Sequence, residues 1–179
     1  MDIGIISSRY AKTLLRFATE NGEEQKVYEE MATLAESFQR MPALQQALLN
    51  PVLTAGQKES LLASAASGEH QPTASTHSFL KLVVANKRAD LMTFVASTFI
   101  ELFHREKHII KGRLVVPVEV SEATAAKLRQ MVEARTQSHV EFTTEVNPAI
   151  GGGFILEYDT YRLDASLRTQ LAELRRNLG

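Results

Sequence analysis

The feature that most constrains this chain is a single change of hydrophobic period near His108. Before it, apolar residues recur every three or four positions, the spacing of one helix face. After it they run as β-branched clusters or alternate with polar residues, as strands do. A chain that changes period once is neither a uniform helical layer nor a uniform sheet. The pattern predicts an α+β protein, with a six-helix bundle over 1–107 followed by a small α+β module over 108–179.

Within the first part, Ile3, Ile6, Tyr10, Leu14 and Phe17 form one stripe that ends at Asn21-Gly22. Val27, Met31, Leu34, Phe38 and Met41 form a second, closed by Pro42. A short helix from Ala43 to Leu49 stops at Asn50-Pro51. Thr54 with Gln57 three residues later fits a capping box, which opens a fourth helix. Ser67-Gly68-Glu69-His70-Gln71-Pro72 is the plainest loop. A fifth helix is expected from about Ser75 to Ala85 and a sixth from Ala89 to about Lys107. The sixth carries apolar side chains on much of its circumference, which suits the centre of a bundle.

Beyond His108, Ile109 to Val118 reads as a strand. Ser121 opens a helix carrying Ala125, Leu128 and Val132, and Val140 to Val146 alternates as a second strand. Asn147-Pro148 and Gly151-Gly152-Gly153 then form a turn. Phe154 to Tyr158 and Tyr161 to Leu163 read as a hairpin joined at Asp159-Thr160. Asp164 stands where a carboxylate can cap the final helix, whose Leu167, Leu171, Leu174 and Leu178 are expected to pack as core.

Composition removes several function classes. Lys and Arg total 20 against 21 Asp and Glu, so the cation excess that grips nucleic acid is missing. There are no cysteines, which excludes disulfides and thiolate chemistry and fits a reducing compartment such as a bacterial cytoplasm. No apolar run reaches the roughly 18–20 residues that span a bilayer. The start has neither a signal-peptide core nor an arginine-rich transit pattern, so any membrane association is expected to be indirect, through a partner.

Candidate chemistry fails on spacing. His104 and His108 are four apart, but a zincin needs Glu directly after the first His, and here Glu106 is two residues on. The three glycines precede a strand, with no Lys or Ser following, so they do not make a phosphate loop; a tight backbone approach explains them better. Asp159 and Asp164 are accounted for by a turn and a cap. Arg168, Arg175 and Arg176 beside Glu173 make a solvated helix face, or less commonly a surface for a partner's acidic segment. No cofactor, metal site or catalytic residue is expected. An all-helical unit can instead hold an amphipathic helix in a groove, and the first stripe has apolar residues to spare at Ile5 and Leu15.

Motifs spread along the chain resemble the delta subunit of the bacterial rotary ATP synthase, the counterpart of the mitochondrial oligomycin-sensitivity-conferring protein. They are Asn147-Pro148, Gly152-Gly153, Leu163-Asp164-Ala165-Ser166 and Leu167-Arg168 at the C-terminal end. Arg9-Tyr10-Ala11-Lys12, Asn50-Pro51 with Lys58, Phe79-Leu80-Lys81-Leu82, Asn86-Lys87-Arg88 and Gly112 to Val118 continue the match in the correct order. Three positions depart from the family pattern: Gly151 replaces an apolar residue, and Ala165 and Lys87 stand where glycine is usual.

The resemblance implies a non-catalytic stator subunit on the cytoplasmic face of the bacterial inner membrane, peripheral to it. Its helical domain would hold the N-terminal helix of an alpha subunit between the first and fifth helices. Its C-terminal module would meet the b subunit of the peripheral stalk. Carried onto this chain, the groove is expected to use Tyr10, Thr13, Leu14 and Phe17 facing Leu80, Val83 and Val84, with Tyr10→Ala or Leu14→Asp weakening binding but leaving the fold intact. Two other classes are weighed against it. A helical RNA-binding factor of the antitermination type conflicts with the near-neutral charge and the α+β tail. A small enzyme centred on the glycine turn lacks any supporting carboxylate arrangement.

Overall fold

The computed structural model describes residues 3–68, 70–158 and 161–178. The chain is α+β: eight α-helices and a four-stranded sheet are found among the described residues. It divides into two compact units, residues 1–103 and 104–179.

The first unit contains α1 (Ile3–Glu20), α2 (Glu24–Arg40), α3 (Pro42–Leu49), α4 (Ala55–Ser67) and α5 (Ala74–Ala85). A 3-10 turn, Ala89–Leu91, then leads into α6 (Met92–Glu106), so this long helix begins three residues later than its sequence suggests, and its last three residues, from His104, fall in the second unit. The apolar stripes read from the sequence point inward only in part: Leu14, Val27, Met31, Leu34, Leu48, Leu62, Leu80, Met92 and Phe99 are all essentially inaccessible, whereas Ile3 and Phe17 of the first stripe and Met41 of the second are exposed. Tyr28 stacks on Phe103, and Phe99 lies alongside Phe103, which ties α2 to α6. α6 is not buried all round, because Phe94 faces solvent.

The helix starts follow local chemistry. Thr54 and Gln57 form the full reciprocal capping box of α4. Pro42 closes α2 and also opens α3, since a first-turn position needs no N–H. The N-terminus of α5 is held from α2. Glu30 accepts from both the N–H and the hydroxyl of Thr73, at 2.6 and 2.8 Å. Glu23 accepts from the Ser75 N–H at 3.0 Å, and hydrogen bonds from Ser75 hold its carboxyl below the usual range. Lys87 adopts a left-handed backbone (φ 56°), the conformation glycine supplies without strain.

The second unit holds β1 (Ile109–Val116), α7 (Glu122–Thr136), β2 (His139–Val146), β3 (Ile155–Tyr158), β4 (Tyr161–Asp164) and α8 (Leu167–Leu178). Its strand order is β2-β1-β3-β4. β1 and β2 run parallel, joined by α7 as crossover, and β3 and β4 follow antiparallel. The Asp159-Thr160 connection lies outside the described residues. Alternation divides the sheet into two faces. Leu114, Val116, Val140 and Leu156 pack with Val132 of α7 into one core. The opposite face carries an ionic ladder: Glu145 and Glu157 flank Arg113 at 2.8 and 2.6 Å, and Arg162 bonds Glu157 at 3.0 Å.

Two sequence expectations change here. Asp164 does not cap α8. Ser166 does, accepting from the Thr169 N–H, while the Asp164 carboxylate accepts from the Ser166 N–H and hydroxyl at 3.1 and 2.6 Å. Asp164 ends β4, two residues too early to reach the helix's free N–H groups, so it braces the cap instead. Nor do the described leucines of α8 serve as core: Leu167, Leu171 and Leu174 are exposed.

Candidate functional site between the first and fifth helices

α1 and α5 lie antiparallel in contact, and two polar ties fix that pairing. Just past the end of α1, Asn21 donates to the Ser75 hydroxyl at 3.0 Å, at the start of α5. Towards the other end, Asn86 donates to the Tyr10 hydroxyl at 3.1 Å. Between them the Tyr10 ring meets Phe79 edge-on, with centroids 6.1 Å apart. An aromatic edge contact and a hydroxyl tether give Tyr10 one orientation. Ser7, Ala11 and Ala18 are all buried, so α1 turns its small residues inward.

The seven residues expected to line the groove separate into two sets. Leu14, Leu80, Val83 and Val84 are core residues, at 1%, 0%, 1% and 7% exposure, and have almost no surface to offer a partner. Tyr10 is half-buried, and Thr13 and Phe17 are exposed. Hence Leu14→Asp is not a mild surface change, as the sequence reading supposed; it would place an unpaired carboxylate in the core.

Two contributors were missed. Asn86 positions Tyr10 across 76 residues of sequence, which no local pattern reveals. Leu82 is exposed on the face of α5 opposite its core stripe of Phe79, Leu80, Val83 and Val84, and its offset from that stripe was a usable signal. The exposed apolar residues Ile3 and Phe17 of α1 and Leu82 of α5 suit burial against another apolar surface rather than bond-making, while Ile5, also exposed, points to a different side of α1.

The other sequence candidates are placed differently. α6 ends at Glu106 and His108 has a left-handed backbone (φ 50°), so the helical spacing that would aim His104 and His108 at one ion is not continued. No group of three or more His, Asp or Glu residues is arranged to hold a metal among the described residues. Burial, with Lys111 adding to it, holds the His104 imidazole below its usual pKa, while Glu141 opposes the shift. The glycine turn has a mechanical role. A Cβ on Gly153, which has φ 74°, would overlap the carbonyl oxygen of Ala165. That clearance lets Ala165 N–H reach the Phe154 carbonyl, and Leu167 N–H the Gly152 carbonyl, each at 2.9 Å. No helix among the described residues is long and apolar enough to cross a membrane.

The family model described as ATP synthase delta (OSCP) subunit matches residues 6–178. A protein of Phocaeicola vulgatus called ATP synthase subunit delta is 41% identical over 175 residues, covering 98% of this chain and 94% of that protein. Proteins of the same description from Parabacteroides distasonis and Bacteroides fragilis are 40% and 37% identical, over 99% and 98% of this chain and 98% and 94% of theirs. A chain in the cryo-EM structure of the Toxoplasma gondii mitochondrial ATP synthase hexamer shares the fold, with a TM-score of 0.65 at 20% identity and 96% coverage of both chains. Over nearly its whole length, then, this chain belongs to the ATP synthase delta (OSCP) subunit family.

Proposed function

We propose that the protein is a non-catalytic stator subunit of an F-type ATP synthase, joining the alpha subunit of the catalytic head to the b subunit of the peripheral stalk. Its helical unit acts as a six-helix bundle, residues 1–107 in the domain division proposed here, that receives the N-terminal helix of an alpha subunit along α1 and α5. The module over 108–179 meets the stalk. The protein sits at the cytoplasmic face of the membrane and is held there through the complex.

The observation that carries the alpha-subunit reading is the state of α1. A helix whose inner face is already sealed keeps Ile3 and Phe17 in water, with Tyr10 fixed at the edge and Leu82 exposed on α5. A stator joint must resist torque, which calls for slow dissociation. Each Leu- or Phe-sized side chain buried by an incoming helix contributes ~1.5–3 kcal/mol. Tyr10, Thr13 and Phe17 would touch the incoming helix, while Leu14, Leu80, Val83 and Val84 form the rigid floor that holds them.

The test is titration of the full chain with a synthetic peptide of about the first twenty residues of an alpha subunit. Saturable one-to-one binding, weakened about tenfold or more by Phe17→Ala with an unchanged melting temperature, is the expected result. Binding indifferent to both Phe17→Ala and Tyr10→Ala would remove the alpha-subunit helix from this face.

A further inference from the structure

The last helix poses a separate question. α8 has 12 residues, and an isolated helix of that length is marginal in water unless one face is buried. It is fastened at its first turn, where Ser166 caps it and the Leu167 N–H bonds the Gly152 carbonyl. Beyond that turn Leu171 and Leu174 stand in solvent. Leu167, Leu171 and Leu174 are spaced four and three apart, the repeat of a coiled-coil seam rather than of a broad core-facing stripe. The positions directly after the first and third of these leucines are Arg168 and Arg175, both exposed. In a coiled coil these are flanking positions, the ones that choose a partner by charge.

We propose that α8 is one half of a two-helix joint whose other half is an amphipathic partner helix with acidic residues beside its own leucine seam. The inference deepens the reading that this module meets the stalk, and it rests on that reading. Charge selects the occupant. A second copy of α8 packed antiparallel would set Arg168 against Arg175 of its mate, and packed parallel it would offer Arg168 and Arg175 only uncharged neighbours such as Gln170. Neither arrangement satisfies the two guanidinium groups. Carboxylates at the partner's flanking positions satisfy both.

The experiment uses the full-length chain and two labelled 21-residue peptides with leucine at both seam positions. One carries Glu at every flanking position and the other Lys, so like charges keep each peptide from pairing with itself. The Glu peptide should bind at least tenfold more tightly than the Lys peptide, and the preference should shrink with added salt. In the double variant Arg168→Glu, Arg175→Glu the order should reverse. Leu171→Asp should abolish binding of both without changing the melting curve. Equal binding of the two peptides, an unreversed preference in the double variant, or a chain that sediments as a dimer through this seam would each overturn the proposal. If neither peptide binds while the alpha-subunit peptide still does, this proposal falls and the stator reading stands.

Discussion

α5 and α8 each have 12 residues, and both carry apolar residues at helical spacing, Phe79, Leu80, Val83 and Val84 in one and Leu167, Leu171 and Leu174 in the other. α5 buries Ser75, Thr76, Phe79, Leu80, Val83 and Val84, whereas α8 buries none of its described side chains. The difference extends to the units that hold them. Every α-helix between residues 3 and 103 sends at least two side chains into a shared interior, while the second unit relies on one sheet face, Val132 and a small cluster of Val115, Ile150 and Ile155. Amphipathicity therefore says that a helix has something to bury, and not whether its own chain does the burying. In the function proposed above, where the chain does so the leftover apolar residues serve as the docking face, and where it does not the whole stripe does.

The sharpest way to break this comparison is to put the same charge on both helical stripes. Leu14→Asp should cost about 3–5 kcal/mol or unfold the helical unit, because a buried carboxylate there has no partner. Leu171→Asp should leave thermal melting unchanged. Equal melting temperatures for the two variants would mean that the distinction between filled and unfilled stripes is wrong.

Next in size is Gly153→Ala. It adds a side chain at positive φ and drives it into the Ala165 carbonyl, for a combined cost of roughly 2–5 kcal/mol confined to the second unit. Denaturant unfolding followed by amide exchange in β3, β4 and α8 would show the loss, with α1 to α6 unaffected. Ser166→Ala should cost about 1 kcal/mol by removing the α8 cap, read as faster exchange in the first turn of that helix.

The smallest expected effect is a difference in acid sensitivity. The His104 imidazole is favoured neutral by burial and by Lys111, so the unfolded chain takes up that proton first and stability falls as pH drops through about 6.5. The lowered carboxyls of Glu157, beside Arg113, and Asp164, bonded by Ser166, add stability that is present above the ordinary carboxylate range and lost as pH falls through their folded values. Glu23 does the same for the helical unit, which has no counterpart to His104 among the shifted groups. The second unit should therefore begin to soften at higher pH than the first, and His104→Gln should remove that early step in a pH series of melting curves.

What could be read in advance follows the range of the interactions. The Thr54-Gln57 box closes over three residues, so its chemistry is visible in the sequence. The glycine turn was legible as a close backbone approach, but its partner, Ala165, depends on hairpin register. Asp164 and Ser166 are both acceptable caps, and where β4 ends decides between them. The α1 stripe was visible from its spacing. Which members face inward was not, because Leu14 and Phe17 share that stripe and only the helices packed around α1 separate them. Lys87 shows the converse: a lysine in a position glycine would favour still takes the left-handed turn at the end of α5, its N–H bonding the Val84 carbonyl.

The central claim is that the two units divide the labour, the first taking the alpha subunit and the second the stalk. Hydrogen exchange of the full chain with and without the alpha-subunit peptide tests it most directly. The account predicts slowed exchange in residues 3–20 and 74–86, with no change across 109–176. Protection centred on the sheet or on α8, with α1 and α5 unchanged, would contradict it.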